Sequence, residues 1–131
     1  MVIDTSAAMA VLTGEETAPA IRAHLDATAR SYISAGTLQE LGIDLESRIG
    51  AVAPAKIERF LRDCGTEVIP VDQTLVDRAL AGWRQFGKGR HRAGLNYGDC
   101  FTYAVASTRN LPVLCTGDDF AQTDVAVVPL S

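Results

Sequence analysis

The chain opens with MVIDTSAAMAVL, residues 1–12, and this stretch indicates how the rest of the chain folds. A very short apolar run, typical of a buried strand, ends at Asp4. Thr5 or Ser6 can then cap a helix over residues 7–12 through a side-chain oxygen. A buried strand followed at once by a helix is the unit from which helix-covered parallel sheets are built. We therefore expect an α/β fold.

The alternation of strand and helix patterns continues to the end of the chain. Short apolar runs predict strands over residues 31–34, 67–71, 112–115 and 125–129. Helical spacing and capping signals predict helices over residues 17–29, 38–49, from 54 onward, 73–86 and 96–109. We expect a short, mostly parallel sheet with helices on both faces, in a single domain over residues 1–131.

Composition narrows the class of protein. The 131 residues carry a formal net charge of −4, from 16 acidic and 12 basic side chains. This charge argues against a basic surface that wraps nucleic acid, but it leaves room for a nuclease with a local acidic site. Three widely spaced cysteines show no zinc or disulfide pattern. With no leader pattern and no apolar run near the roughly 20 residues of a membrane span, we expect a cytoplasmic protein without a membrane partner.

Acidic residues recur at strand ends and helix starts. Asp4, Asp118 and Asp119 follow predicted strands, while Glu40 and Asp99 lie in the first turns of predicted helices. In a parallel sheet these positions meet at the carboxyl edge, where ligands bind. Grouped carboxylates repel one another unless cations neutralise them, and their oxygens suit Mg²⁺ or Mn²⁺. The pattern favours metal-assisted hydrolysis of a phosphate ester.

Each acid also has an ordinary structural interpretation. Asp4 can cap the helix that follows it, and Asn96 with Asp99 resembles a capping box. Glu40 lies opposite the apolar stripe of its helix, where a solvated carboxylate is common. The Asp118-Asp119 pair can be a turn or the start of a helix. Only their shared placement favours a site.

A basic, glycine-rich loop, GKGRHRAG, occupies residues 87–94. It places Lys88, Arg90, His91 and Arg92 within five residues, which favours a loop that contacts RNA phosphates. The alternative is a solvated charged loop.

Four stretches resemble the PIN-domain family, specifically its VapC-type toxin ribonucleases. They are MVIDTS (1–6), SAGTLQE (34–40), LNYGDC (95–100) and TGDDF (116–120), in the family's order over nearly the whole chain. The resemblance implies an α/β/α sandwich and metal-dependent endonucleolytic cleavage of single-stranded or loop RNA. It also implies a homodimer neutralised by a cognate VapB-type antitoxin protein.

The resemblance assigns four acids to the catalytic pocket: Asp4, Glu40, Asp99 and Asp119. Asp4 and Asp99 would be the primary ligands of Mg²⁺ or Mn²⁺. Asp118 is an alternative for the fourth acid, and Asp124 is a more distant one. The neighbouring hydroxyl residues that would orient these ligands are Thr5, Ser6 and Thr116.

Two sets of apolar residues could lie either in the core or on a binding surface. Five early residues mark either an exposed interface or part of the core: Met9, Val11, Leu12, Leu41 and Leu45. Three later residues suit a buried helix face better than a platform for stacking bases: Leu80, Trp83 and Phe86.

Two other functions compete with a toxin ribonuclease. One is a metal-dependent phosphatase, which the DTS sequence at residues 4–6 suggests, although a second Asp two residues on is missing. The other is a non-catalytic binding module of the same fold, against which the retention of acids at all four places argues.

Overall fold

The structure is a computed structural model and describes residues 1–130. Its elements in chain order are β1 (Val2–Ile3), α1 (Thr5–Leu12), α2 (Ala18–Ala27), β2 (Ser31–Ser34), α3 (Ala35–Ile49), α4 (Ala53–Asp63), β3 (Thr66–Ile69), α5 (Gln73–Phe86), α6 (Tyr97–Arg109) and β4 (Val113–Leu114). Short 3₁₀ turns cover Gly50–Val52 and Phe120–Gln122. The predicted alternation of strands and helices is confirmed over most of the chain.

The four strands form one parallel sheet in the order β3-β2-β1-β4. From β1 the chain moves outward through β2 to β3, and then returns to place β4 on the other side of β1. Val2 pairs with Tyr32 on one side and with Val113 on the other. The strand order therefore reverses between β1 and β4, where open parallel sheets bind their ligands.

Neighbouring residues of the paired strands β1 and β4 enter two separate hydrophobic clusters. Ile3 and Leu114 pack into a cluster built from α1, α2, α3 and α4. Val2 and Val113 pack into a second cluster, built mainly from α5 and α6. Because neighbouring side chains of a strand point to opposite faces, helices cover both sides of the sheet. The expected α/β/α sandwich is confirmed.

Of the early apolar residues, four are buried in the core. Met9 and Val11 are about one-twentieth exposed, and Leu41 and Leu45 are fully buried. Leu12 packs partly buried against the same cluster. The interface interpretation of these residues is wrong, because α1 packs directly against α2 and α3.

The predicted closing strand over residues 125–129 is also wrong. This segment lies beside β4, but it forms only one isolated parallel bridge, between Val113 and Val127. Two backbone hydrogen bonds of 2.9 Å hold it there, Val113 N–H to Ala126 O and Val128 N–H to Val113 O. The segment covers the edge of β4 without extending the sheet.

The three cysteines, Cys64, Cys100 and Cys115, are free thiols, as expected. In residues 1–130 no helix combines the length and the apolar character that crossing a membrane requires.

Candidate active site

Asp4 is buried at the carboxyl end of β1, where its side chain is the N-cap of α1. Its Oδ2 accepts hydrogen bonds from the Ser6 backbone N–H at 3.1 Å and from Ser6 Oγ at 2.8 Å. Its Oδ1 accepts one from Thr102 Oγ1 at 2.8 Å. The prediction that Thr5 or Ser6 caps this helix is wrong, because Asp4 has the extended backbone of a cap residue and Thr5 is already helical.

Glu40 projects from α3 towards the first turn of α6. Its Oε1 accepts a hydrogen bond of 2.5 Å from Thr5 Oγ1. A Cβ on Gly98 would overlap the whole Glu40 carboxylate, so the carboxylate can lie here only because residue 98 is glycine. Burial raises the pKa of Glu40, and the hydrogen bond from Thr5 lowers it. The negative charges of Asp4 and Asp44 also raise it. Glu40 therefore faces the acids rather than open solvent.

Asp99 closes the capping box that the sequence predicts at the start of α6. Its Oδ2 accepts the Asn96 N–H at 3.0 Å, while Asn96 Oδ1 accepts the Asp99 N–H at 2.8 Å. The pKa of Asp99 is raised to about 7, chiefly by burial and against the effect of the Asn96 hydrogen bond. The charges of Asp4, Asp119 and Glu40 also contribute to this raised pKa. The four predicted acids are thus electrostatically coupled at Asp99.

The loop after β4 brings the last acids to the same edge. Asp118 and Asp119 are both exposed. Asp119 contributes to the raised pKa of Asp99, and neither Asp118 nor Asp124 is among the charges that do so. Asp124 Oδ1 instead accepts a 2.8 Å hydrogen bond from the Tyr103 hydroxyl.

Hydroxyl groups join the elements that hold these acids. Ser6 Oγ accepts the Thr116 backbone N–H at 3.0 Å, so it links the end of β4 to Asp4. In that contact Thr116 acts through its backbone and not through its side chain.

Sequence reasoning missed two further hydroxyl residues, Thr37 and Thr102, which are fully buried beneath the acids. Their spacing was the available signal. Thr37 lies three residues before Glu40 and Thr102 three residues after Asp99, so each shares a helix face with an acid.

The basic loop is folded against α5 and the start of α6. The Lys88 N–H donates to Leu95 O at 2.9 Å. The Arg90 guanidinium lies 4.7 Å from the centre of the Trp83 ring, and its Nε donates to Arg84 O at 3.1 Å. His91 Nδ1 accepts the Ala93 N–H at 3.0 Å. Arg90 and His91 therefore shape this loop, in which Lys88 and Arg92 are exposed cations.

An apolar groove of about 600 Å³ lies between α5 and the first turn of α6, the turn that also carries Asp99. The Tyr97 ring at its edge is 81% exposed and packs edge-on against Phe101, with ring centres 5.1 Å apart. Leu80 and Trp83 are each 39% exposed here, so the prediction that they are buried is wrong, whereas Phe86 is buried as expected. The groove places aromatic surface within two residues of Asp99.

The donor set suits a hard divalent cation. Across residues 1–130, no three Asp, Glu, His or Cys side chains form a ready-made metal cage. Mg²⁺ is commonly held by one or two carboxylates while it keeps several waters, and repulsion among the acids at Asp99 favours a cation there. The residues present fit a hydrated cation.

Comparison with known proteins agrees with this geometry. The family model of the PIN domain matches residues 1–126. Ribonuclease VapC30 of Mycobacterium tuberculosis is 39% identical over 130 residues, covering 99% of each chain. Ribonuclease VapC of Mycolicibacterium smegmatis is 41% identical over 128 residues, covering 98% of this chain and 99% of that one. A chain of a toxin–antitoxin complex from Klebsiella pneumoniae superposes with a TM-score of 0.71 at 18% sequence identity. The superposition covers 99% of this chain and 97% of that chain.

Proposed function

The chain belongs to the PIN-domain family, among its VapC ribonucleases, and on that premise we propose that it is a toxin endoribonuclease. Its substrate is single-stranded or loop RNA, whose phosphodiester bonds it hydrolyses. One observation carries the proposal: the pKa of Asp99 is raised to about 7, chiefly by burial, and the charges of Asp4, Asp119 and Glu40 contribute to it. A cluster of acids at the point where the strand order reverses is a site for a cation and a phosphate.

The cation of this proposal is Mg²⁺ or Mn²⁺, held by Asp4 and Asp99 with Glu40 and Asp119 completing the pocket. When bound, it supplies a Lewis acid that activates water and stabilises the leaving oxygen. The protein holds the repelling carboxylates in place. Three donors orient Asp4, and Thr5 holds Glu40. The donors of these hydrogen bonds are neutral groups. They therefore hold the carboxylates in place without cancelling the negative charge that would attract a cation.

RNA would be positioned by the basic loop and by Tyr97. Lys88 and Arg92 offer exposed charges for phosphates, while Arg90 and His91 hold the loop in shape. The exposed Tyr97 ring offers a face on which an unpaired base can stack. A base is free to stack in this way only when it is not paired, which supports a single-stranded or looped substrate.

The partner would be a cognate VapB-type antitoxin, acting with the homodimer in the cytoplasm. The Klebsiella pneumoniae neighbour is part of a toxin–antitoxin complex. On this chain a groove of about 460 Å³ between α3 and α4 carries the exposed Ile43, with Glu46 and Glu58 in its lining. An antitoxin segment with apolar and basic side chains fits such a groove.

Substitution of the acids tests the proposal. Asp4→Asn and Asp99→Asn are expected to abolish cleavage of single-stranded RNA and growth inhibition while leaving the circular dichroism spectrum unchanged. Asp26→Asn, at an exposed position on α2, serves as the control and keeps full activity. Full activity in both site variants would rule out this site. If the unsubstituted protein hydrolysed a simple phosphate ester but did not cleave RNA, the phosphatase function would be favoured instead.

A further inference from the structure

Two buried hydroxyl groups form a chain that ends on Asp4. Thr37 Oγ1 and Thr102 Oγ1 lie 3.0 Å apart, and Thr102 Oγ1 donates to Asp4 Oδ1 at 2.8 Å. Both threonines are fully buried, and they come from different helices, α3 and α6. The chain of hydroxyls therefore connects the two helices that carry Glu40 and Asp99 to Asp4, between β1 and α1.

The protons of this chain can point in only one direction. An ionised carboxylate accepts hydrogen bonds and donates none, so the single hydroxyl proton of Thr102 is committed to Asp4. In the contact between the two threonines, Thr102 must then accept and Thr37 must donate. Thr37 thus fixes the rotation of the Thr102 hydroxyl, and the hydroxyl of Thr102 fixes the Asp4 carboxylate.

The donors around Asp4 also decide which oxygen remains available. A carboxylate has about four acceptor positions, two on each oxygen. The backbone N–H and the hydroxyl of Ser6 occupy both positions on Oδ2. Thr102 occupies one position on Oδ1. One acceptor position is left, and it belongs to Oδ1.

We propose that Thr102, oriented by Thr37, is a positioning residue that presents the remaining acceptor position of Asp4 Oδ1 to the divalent cation. The inference rests on the proposed function for the presence of that cation. Because the hydroxyls are neutral, they orient the carboxylate without competing with the cation as a positive side chain would. The pair also ties α3 to α6 directly beneath Glu40 and Asp99.

Metal affinity tests this role separately from catalysis. Thr102→Val keeps the shape of the side chain but removes the donor, and it is expected to weaken Mn²⁺ binding about 10- to 100-fold in isothermal titration. Thr102→Ser restores the hydroxyl and should restore the affinity. Thr37→Val leaves Thr102 in contact with Asp4 without its orienting donor, so a smaller loss of affinity is expected.

Thr17 provides a matched control. Its Oγ1 is buried, and no partner for it lies among residues 1–130. Thr17→Val therefore makes the same chemical change away from the acids, and it should bind Mn²⁺ as the unsubstituted protein does.

Equal Mn²⁺ affinity in Thr102→Val and Thr17→Val would overturn the inference, even if Thr102→Val were less stable. Should Thr102→Val fail to fold, Thr37→Val decides, since unchanged Mn²⁺ affinity in that variant overturns the inference and weakened affinity supports it. RNA cleavage by the same preparations separates the two proposals. Suppose that Thr102→Val binds Mn²⁺ more weakly than Thr17→Val, but that the unsubstituted protein does not cleave RNA. The proposed ribonuclease function would then be refuted, and the proposed role of Thr102 would still be supported.

Discussion

Gly98 lies so close to Glu40 that a Cβ at position 98 would overlap the Glu40 carboxylate. The first turn of α6 and the side of α3 are therefore in contact at the point where the acids gather. Glu40 is confined between this glycine and the Thr5 hydroxyl. The position of the carboxylate depends on the absence of a side chain at residue 98.

Gly98→Ala is expected to impair activity without weakening the fold. Alanine favours a helix over glycine by about 1 kcal/mol, and the group that must move is the end of a flexible side chain. The free energy of unfolding in urea should thus stay the same or rise. RNA cleavage should fall at least tenfold because Glu40 is displaced, and a fully active variant would show that the Glu40 position does not matter.

Asp99→Asn is expected to stabilise the protein in the absence of metal. The pKa of Asp99 is raised from 3.8 to about 7, so the folded state binds this proton more tightly than the unfolded chain. Its stabilising contribution is full below about pH 4 and is lost as pH rises through about 7. In EDTA, the advantage of the Asn variant in urea unfolding should grow from about pH 4 to about pH 7 and then level off.

Mn²⁺ should reverse that difference, since a cation that binds only the folded state stabilises the protein that binds it better. A stability difference between the two proteins that is the same at every pH would contradict the raised pKa of Asp99.

Tyr97→Ala is expected to reduce cleavage of single-stranded RNA. Stacking of one base on an aromatic ring contributes about 1–3 kcal/mol, so kcat/KM should fall about 5- to 150-fold. Because the ring is 81% exposed, the melting temperature should change little. Tyr97→Phe keeps the ring and should keep the activity. Unchanged kcat/KM with a changed oligomeric state would instead assign Tyr97 to contact between copies.

Tyr103→Phe is expected to lower stability and to spare activity. The hydroxyl donates to Asp124 at 2.8 Å, and loss of such a hydrogen bond costs about 1 kcal/mol. Thermal unfolding and RNA cleavage measured together check this outcome. A large loss of cleavage would mean that Asp124 belongs to the site after all.

Local signals in the sequence predicted the alternation of elements and the capping box at Asn96. They also predicted which acids approach one another, because the carboxyl ends of parallel strands share an edge. For Asp99, the predicted capping box is confirmed, and the same carboxylate is the one that the charges of the other acids act on. A capping pattern within one element therefore does not exclude that its residue also belongs to a site.

Contacts between residues far apart in the chain, and the exposure of side chains, could not be predicted from the sequence. Thr102 is 98 residues from Asp4, so no local pattern relates them. Helical spacing assigned Trp83 to an apolar face, but it does not show whether another element covers that face. The segment at residues 125–129 has the composition of a strand, yet it forms a single bridge.

The sheet order has a consequence for synthesis of the protein. β1 ends directly before Asp4, and it pairs with β4 at residues 113 and 114, a few residues before Asp119. A nascent chain therefore lacks one side of its site until residues 113–119 have left the ribosome. An enzyme that destroys RNA would in this way remain inert while its own messenger is being read.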